Sequence, residues 1–306
     1  MSNQKPHRFK SIAEYHQVMG LPKPEHPLIS VIDFEAIKHI PNSGIINYIC
    51  DFYCISLKKD ANAKMKYGQQ KYDYDEGAML FMSPGQVFGI EVAEGEELKH
   101  SGWLLLIHPD FLWYSELVKK ISHYEFFGYA VNEALFLSEK EEKILNRIIE
   151  NIQQEYHSNI DKFSKQIIIS HIETLLNYSE RFYNRQFITR EKAHHQVLEC
   201  LENLLTAYFS SDDLTLKGLP TVQYVAEKLN VSQSYLGSLL RTLTGQNTQQ
   251  HIHIKLIEKA KEKLSTTNLT ISEIAYELGF EHSQAFSRLF KSKANQSPLE
   301  FRQSFN

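Results

Sequence analysis

The C-terminal part of this chain repeats itself, and a repeat of this kind leaves few folds open to it. Residues Thr221 to Val231 align with Thr270 to Phe280 at an offset of 49. Val222, Val225, Ala226, Leu229 and Val231 meet Ile271, Ile274, Ala275, Leu278 and Phe280. After one extra residue the match resumes at an offset of 50. It pairs Leu236 with Phe286, Leu239 with Leu289, Leu240 with Phe290, Arg241 with Lys291 and Gly245 with Asn295. Apolar residues three and four apart call for amphipathic helices. Two copies in one register call for the same supersecondary unit built twice.

Each copy has the logic of a helix-turn-helix. A capping Thr opens a first helix, at Thr221 and at Thr270. Ala226 and Ala275 are small, as a close helix crossing requires. Asn230 and Gly279 fall at the turn and tolerate left-handed backbone. Val231 and Phe280 then fill the angle between the helices. The second helix starts near Ser232 or His282. Its outer face is small, polar or basic, which suits the major groove of DNA. One such match is weak, because many helical corners look alike; two in tandem are specific.

Between the copies, Thr248 to Leu264 reads as one helix. Ile252, Leu256, Ile257, Ala260 and Leu264 share a side, and Lys255, Lys259 and Lys263 recur on the other. At 1.5 Å per residue it spans roughly 25 Å. That length could hold two reading helices about one DNA turn, roughly 34 Å, apart. The Lys series suits phosphate or a solvated face equally. Charge agrees with this placement. The chain carries −4 overall, but residues 218–306 hold ten Lys/Arg against seven Asp/Glu, and the rest of the chain is acidic. A basic excess located where the repeat lies is what DNA asks for.

The N-terminal half has a different grammar. From Leu28 to about His108 it reads as short strands separated by Gly, Pro and Asp turns, as in a small barrel or sandwich. The run Ile45–Ile55 reads as one strand, with Cys50 and Cys54 on one face. Ala78–Met82, Val87–Ile90 and Gly102–Ile107 follow, with a turn at Ser83-Pro84-Gly85. Residues 7–20 read as a short helix or ordered arm. Asp110 can cap a helix Phe111–Lys120. A capping box, Ser138 with Glu141, opens an amphipathic helix through Ile152. Ile167–Tyr183 forms a second helix, and the pair reads as a hairpin that could offer a dimer surface.

Several function classes are disfavoured. No stretch of about 18 apolar residues predicts a membrane span. Met1 to Gly20 lacks the apolar core of a secretory signal. The expectation is a cytoplasmic protein with Cys50, Cys54 and Cys200 reduced, the first two as core packing. No His or Cys cluster has metal spacing; Gly68 to Gly77 contains no His, and Val87 stands three after Pro84. We therefore expect no catalytic site, no cofactor and no metal. His108 reads as structural, and His194-His195 as a solvated helix patch. Tyr48, Tyr53, Tyr67, Tyr72 and Tyr74 are open between pocket and core.

On these residues the chain resembles the AraC/XylS family of bacterial transcription regulators. The carriers are Ile274–Phe280, Phe286–Lys291 and Ser297–Arg302, with Tyr235-Leu236 and Thr244-Gly245 in the first copy. The match covers about 219–304; Asn295 stands where the family usually has Gly. The N-terminal half is similar, more loosely, to the cupin-like sensor domains of such regulators, particularly in Bacteroidetes. Its carriers lie in Gly77–Phe88, in Gly102–Asp110 and in Asn132-Glu133-Ala134-Leu135.

The resemblance implies an α+β, two-domain chain. A cupin-like β-barrel with a helical hairpin spans 1–184, a helix and linker 185–218, and an all-α double helix-turn-helix DNA-binding domain 219–306. By position in the family pattern, Gln233, Ser234, Gly237, Ser238 and Arg241 face the groove in the first copy. Ser283, Gln284, Ser287 and Arg288 do so in the second, with Lys291 on phosphate. Gln can bond adenine and Arg guanine at two points, while Arg288 on the helix flank could instead hold phosphate. The implied partners are double-stranded promoter DNA and RNA polymerase, with a small-molecule effector and a homodimer left open. The rival reading is a cupin-like enzyme or ligand-binding module with a DNA-binding appendage.

Overall fold

The structure, a computed structural model, describes residues 6–37, 44–59, 64–67, 70–72, 77–92, 101–129, 133–157, 161–189, 191–211 and 213–304. The chain divides into two compact units at Gln186/Phe187.

The first unit is built on two five-stranded sheets. One has the order β1 (His7–Phe9), β3 (Gly44–Cys50), β8 (Val87–Val92), β5 (Lys64–Tyr67), β6 (Gln70–Tyr72). The other runs β10 (Leu135–Phe136), β7 (Ala78–Met82), β4 (Tyr53–Lys59), β9 (Ser101–Ile107), β2 (Ile29–Asp33). All pairings are antiparallel except β1 with β3. A first helix, α1 (Ile12–Val18), starts at Ser11, whose hydroxyl accepts from the Glu14 N–H. Phe9, Ile12, Tyr15, Tyr48, Phe52, Leu80, Phe88 and Leu106 share one core.

The strand expected over Ile45–Ile55 is two. The chain leaves β3 at Cys50, turns at Asp51–Phe52 and enters β4 in the other sheet. Asp51 holds the turn by accepting from Arg8 at 2.9 Å, while Phe52 is fully buried beneath it. Cys50 and Cys54 therefore lie on different strands of different sheets, both buried and not joined to each other. A switch between sheets leaves no mark in hydrophobic periodicity when both strands are buried. The helix expected over Phe111–Lys120 is also broken. His108 caps a 3-10 turn at Pro109–Leu112, and only Leu117–Lys120 (α2) is α-helical.

Two long helices complete this unit. α3 (Glu139–His157) buries Leu145, Ile148, Ile149, Ile152 and Tyr156, the stripe its sequence announced. The Ser138/Glu141 capping box forms. α4 (Ser164–Thr189) is tied to α3 by Arg185, which donates to both carboxylate oxygens of Glu141 at 3.0 and 2.6 Å. Trp103 on β9 donates to Asn146 of α3 at 2.9 Å, fixing helix to sheet.

The second unit is helical. α5 (Glu191–Ser210), α6 (Asp213–Lys217), α7 (Val222–Lys228), α8 (Gln233–Thr244), α9 (Thr248–Thr266), α10 (Ile271–Glu277), α11 (Ser283–Ala294) and α12 (Pro298–Gln303) follow in order. Their shared core contains Val225, Ala226, Leu236, Leu240, Ile274, Ala275, Phe286 and Phe290, the positions matched in the repeat. It also contains Leu201, Leu205, Tyr208 and Phe209 of α5 and Leu214 of α6. The segment that reads as helix and linker in sequence is thus part of the second unit's core. Among the described residues no helix is long and apolar enough to cross a membrane.

Candidate nucleic-acid interface

The two repeat copies fold alike down to their turns. α7 and α10 have seven residues each, and α8 and α11 twelve each. Asn230 (φ 56°) and Gly279 (φ 78°) both take left-handed backbone after the first helix. Val231 N–H bonds Ala226 C=O, and Phe280 N–H bonds Ala275 C=O, at 3.1 and 3.0 Å. These six-to-one bonds are Schellman closures, which the left-handed residue makes available. At the far end Gly245 (φ 73°) and Asn295 (φ 59°) close α8 and α11 as left-handed caps, each N–H bonding the carbonyl four residues back, Arg241 and Lys291. The match continues past that point. Asn247 and Ser297, 50 residues apart, each form a capping box, opening α9 and α12.

α8 and α11 each bury one face and leave the other open. Leu236, Leu239 and Leu240 are buried on α8, and Phe286 and Phe290 on α11. On the open side of α8, Gln233 and Arg241 are exposed, and Ser234 and Ser238 half-buried. On α11, Gln284, Arg288 and Lys291 are exposed, and Ser283 and Ser287 half-buried. Ser287 donates to the Ser283 carbonyl at 3.0 Å, so its hydroxyl proton is engaged within the helix.

Gly237 differs from what the family pattern implies. It is buried, because the Arg241 guanidinium lies over it, 3.7–4.0 Å from where a Cβ would stand. Residues four apart share a helix face, and without a side chain at 237 the arginine can fold back along its own helix. The exposed surface at that point is therefore the guanidinium rather than the glycine.

α9 joins the copies. Its 19 residues span about 28 Å at the standard rise. Its buried side is Ile252, Leu256, Ile257, Ala260 and Leu264, as the sequence indicates. The lysines on the other side are paired: Lys255 with Glu258 at 3.3 Å, Lys259 with Glu262 at 2.9 Å and Lys263 with Glu277 at 2.6 Å. Burial lowers the pKa of His251 and of His253, the latter with help from the Lys293 charge.

The sequence did not reveal the contact between α6 and the second copy. Gly279 is approached by Leu214 and Gly218, and a Cβ on it would stand 2.7 Å from the Leu214 carbonyl oxygen and 2.8 Å from Gly218 Cα. The available signal was a second glycine, Gly218, ahead of the repeat. In the first unit, Tyr48 is buried and Tyr53 half-buried. Tyr74 and the side chains of Tyr67, Tyr72, His194 and His195 lie outside the described residues.

Comparison with known proteins covers this same region. A family model described as a helix-turn-helix domain matches residues 225–304. The chain is similar to the Msm operon regulatory protein of Streptococcus mutans, 36% identical over 81 residues, which are 26% of this chain and 29% of that one. It thus spans under a third of that relative's length. The regulatory protein SoxS of Salmonella typhimurium is 33% identical over 81 residues, 26% of this chain and 76% of SoxS. Among solved structures, the C-terminal domain of the response regulator AraT from Geobacillus stearothermophilus is 30% identical, with a TM-score of 0.31, covering 35% of this chain and 84% of that one. With its tandem helix-turn-helix copies in one core and a match over three-quarters of SoxS, the chain belongs to the AraC/XylS family of DNA-binding transcription regulators.

Proposed function

We propose that this protein is a one-component regulator that grips promoter DNA with α8 and α11 in two successive major-groove segments. The observation that carries this reading is the pair of matched twelve-residue helices. Each buries an apolar face in one shared core and presents polar and basic side chains outward. Gln233, Ser234, Ser238 and Arg241 read the first block, with Gly237 as the floor under Arg241. Ser283, Gln284, Ser287 and Arg288 read the second, and Lys291 holds phosphate. His282 makes no side-chain cap on α11; the Ala285 N–H bonds the His282 carbonyl, which leaves the N–H groups of Ser283 and Gln284 for a phosphate oxygen.

In this reading residues 1–186 form a cupin-like sensor or dimerisation domain and residues 187–306 the DNA-binding unit, with α5 and α6 as part of its core rather than a linker. Its place is the cytoplasm, its further partner RNA polymerase, and its N-terminal unit does no catalysis. The test is selection of duplexes from a random pool with the full-length protein and with residues 187–306. The expected product is a motif of two blocks about one helical turn apart. Enrichment only with the fragment would mean that the N-terminal unit restrains binding until a signal arrives. Salt-sensitive binding without any motif would overturn the reading.

A further inference from the structure

The segment Asp213–Gly218 precedes the first helix-turn-helix in the chain, yet it packs on the turn of the second. We propose that this segment is a strap that fixes the second reading helix relative to the first, and so sets the spacing between DNA blocks that the unit accepts. The inference rests on the DNA-reading role given above.

Three contacts converge on Glu277–Gly279. Leu214 is buried in the shared core with Leu278, and its carbonyl lies against Gly279. Thr215 Oγ1 donates to the Glu277 carbonyl at 3.4 Å. Gly218 Cα lies 2.8 Å from where a Cβ of Gly279 would stand, and the Gly279 carbonyl oxygen lies 3.6 Å from where a Cβ of Gly218 would stand. The strap is itself anchored, since Tyr208 of α5 donates to the Gly218 carbonyl at 2.9 Å. On the far side, the Glu277 carboxylate takes Lys263 of α9 at 2.6 Å. The turn of the second copy is thus held between α5–α6 on one side and the joining helix on the other.

The backbone alone does not demand glycine at this turn. Asn230 occupies the equivalent position of the first copy at φ 56°, and asparagine tolerates that region. What excludes a Cβ at residue 279 is the approach of the strap. α9 by itself leaves a loop, Thr267–Leu269, before the Thr270 cap of α10. The second copy already packs on α9 through α10, α11 and α12 in the shared core, and the strap adds a further attachment at its turn. α11 is packed on the turn through Phe280 and Phe286, whose rings are 5.6 Å apart, so holding the turn holds the reading helix.

The experiment uses the full chain and duplexes carrying the two selected blocks at the selected spacing, one base pair closer and one base pair further. Three proteins are compared: wild type, Gly279→Asn, and the double variant Tyr208→Phe with Thr215→Val. Gly279→Asn keeps a residue suited to the left-handed turn and adds a side chain whose Cβ displaces the strap. The double variant removes two hydrogen bonds without adding bulk, which guards against a fold that fails in the first. Wild type should prefer the selected spacing by about tenfold, the order of one mismatched base pair. Both variants should lose most of that preference while base preference inside each block stays unchanged. Unchanged spacing preference in folded variants would overturn the proposal. So would an equal loss on all three duplexes, which is the signature of lower stability alone. If wild type selects no two-block site, the DNA reading fails first and the strap's role falls with it.

Discussion

At the scale of single residues, three positions make sharp predictions. Arg288 is exposed on α11 with no apolar face to serve. Arg288→Ala should weaken binding to the selected site by about 1–3 kcal/mol and relax the base preference at one position, as a titration against substituted duplexes would read. An equal loss on every duplex would move Arg288 to the phosphate backbone. Lys58 is a different case. It is buried in β4, its ammonium 4.9 Å from the Phe34 ring, and burial pulls its pKa from 10.5 down to about 8. Between those two values the unfolded chain holds a proton that the folded chain has released, so stability rises with pH across that window. Relative to Lys58→Met, the wild type should therefore gain about 2–3 kcal/mol of stability between pH 7 and pH 10, as denaturant melts at the two pH values would show. A difference that does not change with pH would mean the ammonium is not penalised. Gly279→Ala combines the strain of left-handed backbone, about 1–3 kcal/mol, with overlap on Leu214. It should cost more than the same change made at the exposed Gly245, where a Cβ meets nothing within 4 Å.

At the scale of elements, α9 decides what its lysines can do. Lys255, Lys259 and Lys263 each neutralise a carboxylate and are one-quarter to one-third exposed. Lys291 on α11 is exposed beside the groove-facing residues. A lysine that neutralises a phosphate contributes about 0.9 to the slope of log affinity against log salt. Lys291→Ala should lower that slope by nearly one and Lys259→Ala by much less. Equal effects would return α9 to the phosphate backbone. The helix starts were legible for a local reason. Thr221, Thr270 and Ser297 each accept from the N–H three residues on, and a cap needs no distant partner. The carboxyls of Glu273 and Glu300, bonded back to their caps, sit below the usual carboxylate range. Their contribution is complete at neutral pH and fades as pH falls into the acid range.

At the scale of the molecule, the division at Gln186/Phe187 puts α5 and α6 with the reading helices. Leu201, Leu205, Tyr208, Phe209 and Leu214 are buried in that unit's core, and burial of each large apolar side chain is worth up to about 1.5–3 kcal/mol. Residues 187–306 alone should unfold cooperatively, whereas 219–306 should be far less stable or unfolded, as calorimetry on the two fragments would show. Equal melting temperatures would mean that α5 adds nothing to the fold.

The sequence by itself determined the double helix-turn-helix, because every part of it is local or repeated. Caps act over three residues, left-handed turns need Asn or Gly, and apolar stripes recur within one helix. The chain's own second copy then supplies the confirmation that a single match lacks. Only the tertiary structure decided the rest. Nothing in Ile45–Ile55 says that two buried strands belong to two sheets. Nothing in Gly237 says that Arg241 will lie across it. Nothing in Leu214 or Gly218 says that a segment ahead of the first copy will press on Gly279, more than 60 residues later. Such contacts join residues far apart in the chain, and the packing of the whole unit, not the preference of any short stretch, selects them.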